Sequence, residues 1–267
     1  MSTRPTAADI GIDLEPELAL ARRLAAVADA LTLPFYESRA FTTGRKLDRS
    51  EVTEADKNCE AAIAEVVLAE RPQHGMFGEE YGLVGNTESP WRWIVDPIDG
   101  TSNFVRRIPV WATLVALTHV EFGPVVGVVS APAMDRRWWA ATGLGAYADG
   151  RRLEVSTVDR LDEAQVCITY SSGWNALGLT GALTDLQVGA YRTRGFGDFW
   201  QHMLVAEGAI DLAVDAVGVM PYDLAAPMVI VEEAGGVFTD RHGERTYLHD
   251  SAVSSNGLLH HHAAPLA

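Results

Sequence analysis

The chain has 267 residues, 48 % of them hydrophobic and 21 % charged, with a formal net charge of −15. That length buries a large core, either as one big domain or as two smaller ones sharing a cleft. The acidic balance argues against nucleic acid and anionic membranes as partners, and no apolar run approaches the length that spans a bilayer. An anionic substrate is still compatible, because bound cations reverse the sign locally.

The stretch from Met1 to Leu18 is polar and acidic and lacks the apolar segment of a secretory leader. From about 14 to 37, Leu, Ala and Val recur at helical spacing and predict a long amphipathic helix. A second helix starts near Thr53 and runs to Glu70, where Arg71-Pro72 stops it. From 93 to about 155 the signal changes to short β-branched and aromatic runs at 110–117, 123–129 and 137–142, separated by Gly and Pro as in an antiparallel meander. Gly143-Leu144-Gly145 and Asp149-Gly150 are turn signals. After about Leu153 strands and helices alternate: strand 166–170, helix 197–207, strand 211–215, helix 222–234 capped by Gly235-Gly236, and strand 237–240. The expected fold class is α/β (α+β). It divides into an N-terminal sub-domain, 1–152, with an antiparallel sheet and a metal site, and a C-terminal sub-domain, 153–267, with specificity elements. Small-molecule sites tend to lie in such a cleft. Cys59 and Cys167 have no close partners and form neither a disulfide framework nor a zinc spacing, which points to a reducing cytoplasm.

Acidic residues gather at four places. In the first, the apolar strand Trp93-Ile94-Val95 runs into Asp96-Pro97-Ile98-Asp99-Gly100-Thr101. Hard cations want several anionic oxygens converging on one point, and this short, stiff segment offers two carboxylates. The turn also leaves N–H groups and the Thr101 hydroxyl free for a phosphate or a water. Asp, Pro and Gly are ordinary turn residues as well, but uncompensated charge at the end of a buried strand is costly, which favours metal. The second place is Gly78-Glu79-Glu80-Tyr81-Gly82, a metal ligand with an outer acid or simply a solvated loop. At the third, Asp223 opens a helix and can cap it and hold a cation together. The fourth is the segment from Lys46 to Asp56. Thr53 and Asp56 have capping-box spacing; alternatively Asp56 partners Thr101 in activating a water, with Lys46 on a mobile loop over the site.

Taken in order, Thr53-x-x-Asp56, Gly78-Glu79-Glu80, Asp96-Pro97-Ile98-Asp99-Gly100-Thr101-x-Asn103-Phe104, Asp223-x-Ala225-Ala226 and Glu233-Ala234-Gly235-Gly236 resemble the inositol monophosphatase superfamily, over roughly residues 15–258. The resemblance implies a layered αβαβα sandwich of the inositol monophosphatase and fructose-1,6-bisphosphatase type, a homodimer, and a metal-dependent, lithium-sensitive phosphatase. It implies Glu79 as a ligand of the first Mg²⁺, Asp96 bridging two ions, the Ile98 carbonyl on the first, and Asp99 and Asp223 on the second. Two or three ions are expected, with Mn²⁺ as a substitute; carboxylate-rich sites suit Mg²⁺ better than Zn²⁺. Asp56 and Thr101 match the pair that activates the attacking water beside Glu79, and Gly100, Thr101 and Ser102 match the turn that holds the phosphate. His119, His202 and His242 read as surface or supporting groups, and His260-His261-His262 as a solvated tail that binds metal at most adventitiously.

The leaving group is addressed by the second half. Arg192-Thr193-Arg194-Gly195-Phe196-Gly197-Asp198 resembles the histidinol-phosphatase branch. Arg194, Gly197 and Asp198 are the expected substrate contacts there, Asp198 either capping its helix or meeting the amine of a cationic leaving group. The glutamate with which inositol phosphatases bind their substrate has no match: Ala216-Val217-Gly218-Val219-Met220 fills its region, with Asp215 nearby, and Pro221-Tyr222 stands where Trp is common. The expected substrate is L-histidinol phosphate, ahead of inositol 1-phosphate or another cyclitol or sugar phosphate. A non-catalytic metal and phosphate sensor is the alternative of another class. The intact set Asp56, Glu79, Asp96, Asp99, Thr101 and Asp223 weighs against it.

Overall fold

The structure, a computed structural model, describes residues 4–38, 42–45 and 51–267. Lys46 lies outside the described residues. A short helix α1 (Ala7–Ile10) precedes the long α2 (Glu15–Ser38), which opens with Glu15 and Glu17 at its positive end. A small hairpin, β1 (Thr43–Arg45) and β2 (Glu51–Thr53), leads into α3 (Glu54–Glu70). The capping box expected there is present: Asp56 Oδ2 accepts from the Thr53 N–H at 2.7 Å and from its hydroxyl at 2.6 Å.

Next come β3 (Gly75–Gly78), β4 (Gly82–Gly85), β5 (Trp91–Asp99), the short helix α4 (Thr101–Arg106), β6 (Ala112–His119), β7 (Gly123–Ala131), β8 (Arg136–Ala141), β9 (Gly145–Ala148) and β10 (Arg151–Arg152). They form one eight-stranded sheet in the order β10-β9-β8-β7-β6-β5-β3-β4. The predicted meander holds from β5 to β10, but β3 pairs with β5 in parallel. The second half supplies β11 (Gln165–Ile168), α5 (Ser172–Ala176), α6 (Thr180–Gly189), β12 (Arg192–Arg194), α7 (Asp198–Ala206), β13 (Leu212–Val214), α8 (Pro221–Glu233), β14 (Val237–Thr239) and β15 (Val253–Ser255). Its five strands run in the order β12-β11-β13-β15-β14.

Side-chain alternation builds the layers. On β6, Val115 and Leu117 face Leu24 of α2 and Ile63 of α3, while Leu114 and Ala116 face Leu224 of α8 and Phe199 of α7. Both faces are covered, so the strand reads as an unbroken apolar run. Helices α7 and α8 are shared with the five-stranded sheet through Cys167, Ala213 and Phe238. The far face of that sheet packs Val166, Leu212 and Val253 against Trp174 of α5 and Leu183 of α6. The result is the expected α/β sandwich layered αβαβα. Gly127 lets α8 settle on β7, because a Cβ there would lie 2.6 Å from the Ala226 carbonyl oxygen.

The C-terminal histidines depart from expectation. Residues 260–266 form a 3₁₀ turn whose Ala263 and Leu266 are buried in the core. His260 is no solvated tail: its ring nitrogens lie 2.9 Å from Thr239 Oγ1 and 2.9 Å from Ser255 Oγ. Burial, aided by the neighbouring His261, pushes its pKa down to about 4. No helix of the described residues is long and apolar enough to cross a membrane.

Candidate active site

The site begins with a defect in β5. Residues three apart on a regular strand face opposite sides of the sheet, so Asp96 and Asp99 would diverge. Here Asp96 pairs with Leu114 and Asp99 with Ala112, three steps of chain against two. The extra residue is a bulge that re-aims side chains. Pro97, which has no N–H to leave unpaired, sits in it. The Pro97 carbonyl accepts from Thr113 Oγ1 at 2.8 Å, and Asp96 Oδ1 accepts from the Ile98 N–H at 2.9 Å. With parity corrected, both carboxylates turn to one side, where Asp223 at the start of α8 joins them. One oxygen from each of the three lies within 4.8 Å of the others.

This cluster is buried and strongly anionic. Asp96 and Asp99 are only 2 % and 8 % exposed. Burial raises the Asp96 pKa well above the carboxylate range, with further pressure from Glu79, Asp99 and Asp223. Burial does the same to Asp99, reinforced by Asp198 and Asp223. Burial brings Asp223 up to about 7, although its Oδ2 accepts from the Met220 N–H at 2.7 Å. No lysine or arginine pairs with any of the three among the described residues. Three converging carboxylates without a protein cation are a donor set that fits a hard divalent ion. Glu79, half-buried in the turn after β3, stands outside the convergent trio, but its charge acts on both Asp96 and Asp223.

Asp56 and Thr101 do meet. Thr101 Oγ1 lies 3.4 Å from Asp56 Oδ1 and 3.0 Å from the Ile98 carbonyl oxygen. Burial lifts the Asp56 pKa to about 6, against the lowering effect of the Thr53 bonds. Gly100 caps α4 in the left-handed region (φ 80°), and Thr101 and Ser102 are the first two residues of that helix, whose leading N–H groups have no partner within it. The sequence read this segment as a turn; it is a turn followed by a short helix.

Asp198 does not cap α7. Gly197 holds that position, and Asp198 itself has an unusual left-handed φ of 49°. Its Oδ2 accepts instead from Asn103 Nδ2 at 2.8 Å, beside Gly100, while Asp99 Oδ2 accepts from the Phe199 N–H at 2.7 Å. Helix α7 is thus tied to the metal loop at two points. Burial, then the charge of Asp215, raises the Asp198 pKa to about 6. Arg194, by contrast, bonds its neighbour's carbonyl, that of Thr193, at 3.1 Å, and no described bond links it to the acids.

A family model for the inositol monophosphatase family matches residues 13–267. The chain belongs to the inositol monophosphatase family. Enzymes of this family are metal-dependent phosphomonoesterases that generally use Mg²⁺, and the chain is a phosphatase of that kind. It is 42 % identical to a histidinol-phosphatase of Streptomyces coelicolor, covering 93 % of this chain and 95 % of that one. It is 46 % identical to a histidinol-phosphatase of Mycobacterium tuberculosis over 91 % and 95 % of the two chains. Its backbone superposes on the extragenic suppressor protein suhB of Bartonella henselae with a TM-score of 0.86 at 26 % identity, covering 94 % and 98 %.

Three groups to which the sequence assigned no definite role support the site. Asn103, which the sequence presents only as a position in the central motif, holds Asp198. Asp215 directly follows strand β13 and accepts from the Ala216 N–H at 2.7 Å, with His202 Nε2 at 3.0 Å. His202 is fully buried, its other nitrogen 2.8 Å from Ser254 Oγ, so of the two places open to it in the sequence it takes the supporting one and not the surface. Asp215 carries the same local signal as Asp96, an acid directly after an apolar run.

Proposed function

We propose that the chain hydrolyses L-histidinol phosphate, using Mg²⁺ held by Asp96, Asp99, Asp223, Glu79 and the Ile98 carbonyl. The observation that carries the reading is the bulge-driven convergence of the three aspartates beside the Asp56–Thr101 pair. Bound there, two or three Mg²⁺ ions, or Mn²⁺ in their place, supply Lewis-acid activation of a water and of the phosphate oxygens. The protein groups do the rest. Thr101 orients the attacking water, and its proton passes to Asp56, whose pKa of about 6 suits a base at neutral pH. The N–H groups at Gly100, Thr101 and Ser102 hold the phosphate in line. Asp198, fixed by Asn103 next to Gly100, meets the cationic amine of the leaving alcohol.

Two relatives that share more than two-fifths of their residues and carry the histidinol-phosphatase name support this substrate, as does Asp198, a half-buried carboxylate that its own helix does not use. We place the enzyme in the cytoplasm as a homodimer, without nucleic-acid or membrane partners. Residues 1–152 are assigned most of the catalytic acids and residues 153–267 the specificity elements. The purified protein with Mg²⁺ should release phosphate from histidinol phosphate much faster than from inositol 1-phosphate. The reverse order would overturn the substrate, and no turnover on a broad panel of phosphate monoesters would leave the sensor reading standing.

A further inference from the structure

Helix α3 carries two buried carboxylates one turn apart, Asp56 and Glu60. Asp56 belongs to the site just described; Glu60 has no part in it. Glu60 is 1 % exposed, its Oε2 accepting from the Glu80 N–H at 2.7 Å and its Oε1 from the Tyr81 N–H at 2.9 Å. These are the two amides that follow Glu79. On the other side of Glu79, a Cβ at Gly78 would lie 2.0 Å from Glu60 Oε1, so the carboxylate fills the space that glycine leaves. Glu60 therefore bonds the backbone after Glu79 and packs against the backbone before it. Among the described residues no cation pairs with it. A buried, unpaired carboxylate is an expensive way to brace a turn, and placing it beside Glu79 and Glu80 adds repulsion. Stability alone does not account for it.

We propose that Glu60 is a positioning residue that fixes the turn after β3 so that Glu79 faces the Asp96 cluster. Because Asp56 stands on the same helix, α3 sets both the water-activating carboxylate and the reach of Glu79. The inference rests on Glu79 being a metal ligand, as proposed above.

Glu60→Gln keeps the size but turns an NH₂ group toward one of the two amide donors. Glu60→Asp keeps the charge but is one methylene short. Losing a charge-assisted bond of about 1.5–3 kcal/mol should weaken metal binding about tenfold or more. The readout is Mn²⁺ affinity without substrate, from the EPR signal of the free ion, in both variants and in Glu79→Ala. The expected result is weaker Mn²⁺ binding in all three; the two Glu60 variants alone should combine a raised Mg²⁺ requirement for turnover with an unchanged KM at saturating Mg²⁺. Unchanged affinity in Glu79→Ala would overturn the ligand assignment. Weakened affinity in Glu79→Ala with parental affinity in both Glu60 variants would overturn the positioning role alone. If neither Glu60 variant folds, amide exchange in the unaltered metal-free protein decides. Protection of the Glu80 and Tyr81 amides supports the clamp, and free exchange of both overturns it.

Discussion

Replacing Asp223 with Asn should abolish turnover yet make the metal-free protein more stable. The carboxyl has a folded pKa of about 7 against an ordinary value of 3.8. A group whose folded pKa is raised binds its proton more tightly in the native state. Stability therefore falls as pH rises from 3.8 through 7, and the loss is complete above that window. The difference corresponds to about 4 kcal/mol at pH 8, shrinking below about 2 kcal/mol at pH 5. Asn retains an oxygen to accept from the Met220 N–H, so the bond that starts α8 survives. For a chain of this size about 4 kcal/mol corresponds to a melting temperature higher by about 10 °C. Calorimetry in EDTA at pH 8 and pH 5 measures this directly, and a Mg²⁺ titration should then raise the parent's melting temperature far more than the variant's. A parent as stable as the variant at pH 8 in EDTA would refute the picture of a cluster kept uncomfortable for the sake of a cation.

Three further outcomes follow from the geometry. Asp198→Ala should raise KM for histidinol phosphate by about 10- to 100-fold, the value of a charge-assisted bond, and leave a phosphate monoester without an amine unaffected; steady-state kinetics on both substrates distinguishes this from general damage. Gly127→Ala pushes a methyl group against the Ala226 carbonyl and should cost about 1–3 kcal/mol, read as a lower melting temperature, with activity reduced because Asp223 rides on the displaced helix. For His260, the folded pKa of about 4 lies below the ordinary 6.5. The unfolded chain therefore binds more protons between those values, and stability falls as pH drops from 6.5 to 4, by on the order of 3 kcal/mol. His260→Gln should flatten that part of the urea-unfolding profile, and an unchanged slope would contradict the half-buried neutral ring.

The legible parts of this protein are those written in contiguous residues. An apolar strand ending in Asp96-Pro97-Ile98-Asp99, a Thr53–Asp56 capping box and an acid at the head of α8 each announce themselves locally. What was not legible depends on partners far away in the chain. The bulge that aligns Asp96 with Asp99 is defined by the register against β6, which no local pattern records. Glu60 looks like a helix-surface acid in Lys57-Asn58-Cys59-Glu60 until β3 and β4 fold over it. His260 looked like a tail because three consecutive polar rings hide the Ala263 and Leu266 that pull the segment into the core. Helix α4 is too short to show a period, and the parallel pairing of β3 with β5 leaves no mark in either strand.

The most direct test of the central claim is where a divalent ion binds. Crystals soaked in Mn²⁺ should show anomalous density among the carboxylates of Asp96, Asp99 and Asp223. The other acidic cluster, Asp240, Glu244 and His249, already spends its inner carboxylate on the His242 and Glu244 N–H groups and on His249. Density at that second cluster with none at the first would contradict the account.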